Sequence, residues 1–188
     1  MPNNEVFNSS RMKLARERRK MTYKALSEAV GMSSKMISHY ENSPAEHPPT
    51  EQSIQKIAQV LKYPVEFFFG DEIETLDVDT VAFRSMKSMK ANQQNAALSA
   101  GQISLILNDY FESHFNLPAL DIPSFKDEEP EVAAQLVRNA WGLGDRSIRS
   151  MIGLLESKGV RVFSLSENAQ EVDAFSFWKG ATPFVLLN

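Results

Sequence analysis

Between Thr22 and Glu41 the chain carries Ser27, Gly31 and Ile37 at a spacing that suits two short helices meeting at a tight turn. A small residue is needed where the helices approach closest, and Ser27 supplies it. A residue tolerant of left-handed backbone is needed four positions later, and Gly31 takes that place. Ile37, with Leu26 and Val30, gives the second helix an apolar side with which to lock onto the first. Thr22 and Ser33 each precede one of these helices, and Thr50 precedes a further one; each offers a side-chain oxygen for an N-cap.

The same style of short helix with short connection runs from residue 9 to 69, interrupted by Pro44, Pro48 and Pro49, which confine Glu41–Pro49 to a loop. Gly70–Thr80 holds five carboxylates and no base, and is expected to be a solvated linker. Beyond it, Ile103, Leu107, Phe111 and Phe115 recur every four residues and predict a long helix over Asn92–Phe115 with that stripe inward. Pro118, Pro123 and Asp127-Glu128-Glu129 form the next loop, and Pro130 suits the first turn of a helix burying Val132, Leu136, Val137, Ala140 and Trp141. A further helix, about Ser147 to Lys158, is expected to bury Ile148, Ile152 and Leu155 and to stop at Gly159. Val160–Leu165, Asp173–Trp178 and Thr182–Leu187 read as strands, the last two joined as an antiparallel hairpin through Lys179-Gly180-Ala181. The expected fold is therefore α+β: an all-α five-helix domain over residues 1–70, an acidic linker over 71–80, and helices with a small antiparallel sheet over 81–188.

Charge divides along the same line. Of the 188 residues, Arg11–Lys62 holds ten basic against five acidic, whereas 63–188 holds ten basic against eighteen acidic. A basic half inside an acidic chain of net charge −4 suggests that one half meets a polyanion. The absence of cysteine removes disulfides, thiolate zinc sites and Cys nucleophiles together. The polar start Met1–Glu5 lacks the layout of a secretion signal, and no apolar run approaches the roughly 20 residues of a membrane span. A cytoplasmic location is the expectation. His39, His47 and His114 fall in separate segments without metal-ligand spacing, and Asp127-Glu128-Glu129 has no acid–base partner. No cofactor, metal ligand or catalytic residue is expected.

Two helices held at this turn make a helix-turn-helix, whose second helix enters the major groove of DNA. Its exposed face, Ser33, Ser34, Lys35, Ser38 and His39, is made of short or polar hydrogen-bonding groups, whereas a merely solvated face more often carries long charged helix formers. Residues 9–69 resemble the XRE family of phage-repressor and Cro-type domains. Met12, Ala15 and Arg16 match its first helix, and Leu26, Gly31, Ile37 and Glu41 match its central motif. Thr50, Ile54, Ile57, Ala58 and Leu61 match the fourth helix, and Val65–Phe69 the short fifth. Tyr23 stands where many members carry a Gln that anchors phosphate, and the Pro-rich loop after Glu41 is longer than usual. By position, Ser34, Lys35, Ser38 and His39 are the candidate base readers, Lys35 suiting guanine O6 and N7. Arg11, Lys13, Arg18, Arg19, Lys20, Tyr23 and Lys24 form the pool for phosphate contacts. The resemblance implies that Arg16 and Glu41 form a partly buried structural ion pair.

Phe83-Arg84, Val137–Gly144, Leu155–Val160, Asp173–Ser176 and Pro183–Asn188 resemble the front half of an ImmA/IrrE-type peptidase region, which members fuse to an XRE domain in this order. The family's HExxH zinc helix would follow, and no residue of this chain matches a ligand. The expected function is a repressor-like DNA-binding regulator. Its partner is double-stranded DNA, read by a homodimer at an inverted repeat, and its C-terminal domain dimerises or senses an effector or protein partner. The alternative is part of a zinc metallopeptidase whose catalytic half lies beyond Asn188, since the apolar last segment suggests a polypeptide that continues.

Overall fold

Side-chain oxygens start each of the first four helices. Asn8 accepts from the backbone N–H of Ser10 (3.0 Å) to open α1 (Ser9–Arg18), and Thr22 accepts from Ala25 (3.1 Å) to open α2 (Tyr23–Val30). Ser33 accepts from Met36 (3.2 Å) for α3 (Ser34–Asn42), and Thr50 from Ser53 (3.2 Å) for α4 (Glu51–Leu61). In each case the oxygen satisfies a first-turn donor that has no partner within the helix. The computed structural model describes residues 6–43, 46, 48–84, 89–165 and 172–188; Met1–Glu5, Pro44 and His47 lie outside them. Gly31 ends α2 at φ +72°, the left-handed turn that lets α3 fold back. The fifth element, Val65–Phe69, is a 3-10 helix. Met12, Leu26, Ile37, Ile57, Leu61 and Phe68 are the fully buried centre of this first core.

The remaining elements are a short 3-10 turn (Val78–Thr80), β1 (Ala82–Phe83), α5 (Ala91–His114), α6 (Pro130–Ala140), α7 (Met151–Ser157), β2 (Arg161–Ser164), β3 (Ala174–Lys179) and β4 (Thr182–Leu187). The fold is α+β, but the sheet is mixed, in the order β1-β3-β4-β2. The β3–β4 hairpin is antiparallel, with Phe177 opposite Phe184, while β2 runs parallel to β4. The chain reverses between β2 and β3 but leaves a gap one strand wide. β4 fills that gap antiparallel to β3 and so must run parallel to β2. The two-residue strand β1, too short for any periodic signal, closes the other edge. Alternation along β3 sends Phe175 and Phe177 inward, where with Phe184, Leu186 and Leu105 they form a second core.

The stripe expected to anchor the long helix faces the other way. Leu107, Phe111 and Phe115 are exposed, and Ile103 is only half-buried. The buried face of α5 is made mostly of small residues, Ala97, Ala100, Gly101 and Ser104 among them, which let the helix lie close to the sheet, with Leu105 and Asn108 beside them. A helix of 24 residues is about 36 Å long, whereas strands of six residues span about 20 Å. The helix therefore overruns the sheet, and residues 109–116 are all exposed. None of the side chains of α6 and α7 is buried: Val132 and Ile152 are exposed, and Leu136, Val137, Trp141, Ile148 and Leu155 are half-buried at most. α7 starts at Met151, later than Ser147, because Ser150 rather than an earlier residue caps it, accepting from Gly153 N–H at 3.1 Å.

The acidic stretch after Gly70 is solvated only on one side. Its carboxylates point outward, but Ile73 is buried and Leu76 packs against the second core. Arg11 holds its start, and Gln102 Nε2 donates to Glu74 O at 3.2 Å.

Candidate nucleic-acid interface

The turn between α2 and α3 is fixed by contacts the sequence only outlines. Leu26 and Ile37 are wholly buried against each other's helices, and the Ser27 and Ser34 hydroxyls share a hydrogen bond of 2.9 Å across the turn. Ser34, expected as a base reader, thus has its hydroxyl engaged in joining the two helices.

One side of α3 is buried through Ile37, Tyr40 and Glu41. The opposite side presents Lys35 and Asn42, exposed, with Ser38 and His39 half-buried beside them. Asn42 Nδ2 donates to Ser38 O (2.8 Å) and Ser38 Oγ (3.2 Å), so the amide and hydroxyl form one polar unit. Asn42 was not singled out by the sequence reading; its place four residues after Ser38 is the signal that could have found it. Met36, 44% exposed, flanks this face as its single large apolar group.

Behind α3 lies the Arg16–Glu41 pair. Nε and Nη2 of Arg16 donate to the two carboxylate oxygens of Glu41 at 2.7 and 2.8 Å, and Nη1 donates to Met21 O at 2.8 Å. The Glu41 side chain has no exposed surface and that of Arg16 is 9% exposed. Burial by itself would lower the Arg16 pKa; the hydrogen bonds and charge of Glu41 outweigh it and hold the guanidinium above its ordinary value. Tyr23 lies under the same guanidinium, 4.5 Å from its carbon to the ring centre.

The cations of the expected phosphate pool fall into two groups. Lys24 on α2 is exposed, with Glu28 at 3.9 Å. The others sit on or after α1, and α1 packs against α5. Arg11 donates to Asp71 O (2.7 Å) and Phe67 O (3.3 Å), and burial lowers its pKa against the pull of Asp71 and Glu72. Arg18, its pKa lowered chiefly by burial, lines a cleft with Phe163 and Leu186, while Lys20 lines another with Gln93 and Val172. Lys13 lines a cavity of about 290 Å³ between α1 and α5, together with Glu17, Asn95 and Gln102. Arg19 donates to Leu61 O (2.8 Å) and Lys62 O (3.4 Å) and stacks over Tyr63. These are carbonyls at the end of α4, which a cation stabilises. Arg19→Ala is expected to lower the melting temperature by an amount equivalent to about 1 kcal/mol, measured by thermal unfolding. Unchanged melting would mean that this capping contributes nothing.

Residues 12–68 match the family model described as helix-turn-helix, which is under a third of the chain. No curated protein matches the chain. Among solved structures, it is similar to apo-HppE at 19% identity, over 40% of this chain and 51% of that one, with a TM-score of 0.29. The chain thus spans about half the length of that structure, and so distant a likeness supports no inference about fold or activity. The expected resemblance of residues 81–188 to an ImmA/IrrE-type region finds no support in these comparisons. No helix among the described residues is long and apolar enough to cross a membrane.

Proposed function

We propose that this protein is a cytoplasmic DNA-binding transcriptional regulator that reads an inverted repeat as a two-fold dimer, with residues 81–188 serving dimerisation or sensing. The observation that carries this reading is the outward face of α3: Lys35, Ser38, His39 and Asn42 on a helix whose opposite side is locked by Ile37, Tyr40 and the Arg16–Glu41 pair. A rigid helix with polar tips is what direct readout needs, because base-edge hydrogen bonds discriminate only when their donors are held in place. Lys35 suits guanine O6 and N7, and the Ser38–Asn42 unit and His39 offer donors and acceptors beside it. Lys24 and the backbone N–H groups opening α2 and α3 grip phosphate in this reading, which positions the protein without reading sequence.

Selection of bound sites from random duplexes with the purified chain tests this reading, and half-sites about 10 bp apart would fit a two-fold reader. Lys35→Ala is expected to lose about 1–3 kcal/mol at one base position and relax preference there. Lys24→Ala is expected to weaken binding to all sequences alike and reduce the salt slope by about one. If both variants lower affinity uniformly, Lys35 is not a reader; if no sequence is enriched, the protein does not read DNA.

A further inference from the structure

We infer that the overhanging end of α5 is where two copies of this chain meet. The inference rests on the proposed reading insofar as that reading asks for a dimer, and it locates the interface. Leu107, Tyr110, Phe111 and Phe115 are 42%, 56%, 38% and 59% exposed; Leu107 stands at the rim of the sheet, Tyr110 and Phe111 on the stretch of α5 that projects past it, and Phe115 at the helix end. They form one continuous array. Tyr110 packs against Phe111 with ring centres 6.0 Å apart, Phe111 against Phe115 at 6.2 Å, and Tyr110 stacks on His114 at 4.2 Å. Together they leave on the order of 400 Å² of largely apolar surface, given about 150–250 Å² for each aromatic side chain. That is about half of the ~800 Å² a standard interface takes from each partner, with polar neighbours free to form its rim.

Three features point to a second copy as the occupant. The array runs along one helix, so a two-fold axis lays it against its own image, as an isologous contact requires. The carboxylates beside it are already neutralised, Asp109 by Lys179 at 3.1 Å and Glu112 by Arg161 at 3.3 Å, so two copies approach without like-charge repulsion. The two cations of these pairs, Lys179 and Arg161, are thereby already engaged. Finally, among the described residues of the helix-turn-helix half, Val6 and Met36 are the only exposed large apolar groups, and Met36 flanks the reading face. Among its described residues these two stand apart in sequence, one ahead of α1 and one on α3, where the end of α5 carries four such groups within nine residues.

Sedimentation equilibrium of the 188-residue chain tests the inference. The wild-type chain is expected to be dimeric, and Phe111→Glu monomeric at the same concentrations with an unchanged circular dichroism spectrum. Trp178→Glu is the control: Trp178 is 58% exposed but alternates with Phe177 on β3 and points away from α5, so this variant is expected to stay dimeric. On duplexes selected with the wild-type chain, Phe111→Glu is expected to bind a single half-site as the wild type does, and to lose about 100-fold on the paired half-sites. A monomeric wild type, or a Phe111→Glu chain that remains dimeric, overturns the interface. Loss of dimerisation by Phe111→Glu in a protein that binds no duplex upholds the interface and removes the DNA reading instead.

Discussion

Glu41→Ala is expected to destabilise the protein by about 3–5 kcal/mol, the cost of removing one partner from a buried ion pair. The Glu41 carboxylate is fully covered, and it accepts two bonds from a guanidinium that is itself almost fully covered. Its removal leaves Arg16 between α1 and α3 with the more exposed Glu17 carboxylate at 3.5 Å, Met21 O and the Tyr23 ring as its remaining neighbours. Arg16→Met with Glu41→Leu, which removes both charges and retains volume, is expected to cost far less than the two single changes added together. Chemical denaturation of the four proteins measures this directly. Additive losses would mean that the two side chains do not depend on each other. Because the pair holds the inner side of α3, Glu41→Ala is also expected to weaken any reading by Lys35 and His39 before the domain unfolds.

The second large effect is expected at Gly159. Its backbone has φ +83°, where a side chain costs roughly 1–2 kcal/mol. A Cβ built there would also lie 2.6 Å from Ala119 O and 2.7 Å from Leu120 Cα, both backbone atoms that no side-chain rotation can move aside. The residues around this crossing are tied: Asp121 N–H donates to Lys158 O at 3.0 Å, and the Lys158 ammonium meets Asp121 Oδ2 at 2.6 Å. Gly159→Ala is therefore expected to cost more than the conformational penalty alone and to loosen the passage from α7 into β2. Increased hydrogen exchange at Asp121 and Val160, with lowered overall stability, is the expected result. Unchanged exchange at both would show that the crossing relaxes freely.

The features legible in the sequence are those decided locally. Thr22, Ser33 and Thr50 cap helices and Gly31 turns the chain because each acts on residues within one helical turn of itself. The apolar spacing of Ile103, Leu107, Phe111 and Phe115 was equally visible, but periodicity locates a stripe without saying what covers it. Ala97, Ala100, Gly101 and Ser104 won the sheet because small side chains allow close approach, which a hydropathy pattern undervalues. The basic residues of α1 were legible as charge and not as geometry. Nothing local to Lys13, Arg18 or Lys20 indicates that α5 and the sheet lie alongside them, and Arg19 is held by carbonyls more than forty residues away. The outward side of α3 was legible as a run of short polar groups, and Asn42, which bonds Ser38, was missed because it stands at the helix end.

The position of α1 has a consequence for how the molecule melts. Met12 and Ala15 on one side of this helix belong to the first core, while the buried Leu14 lines the seam with α5 on the other. Arg11, one position before Met12, also clasps the strap that leads to the second core. A helix shared in this way cannot leave one half without exposing apolar surface in the other. Calorimetry should then record a single heat-absorption peak in place of two, its calorimetric and van't Hoff enthalpies equal, so that a loosening of the sheet is felt as lost order at α3.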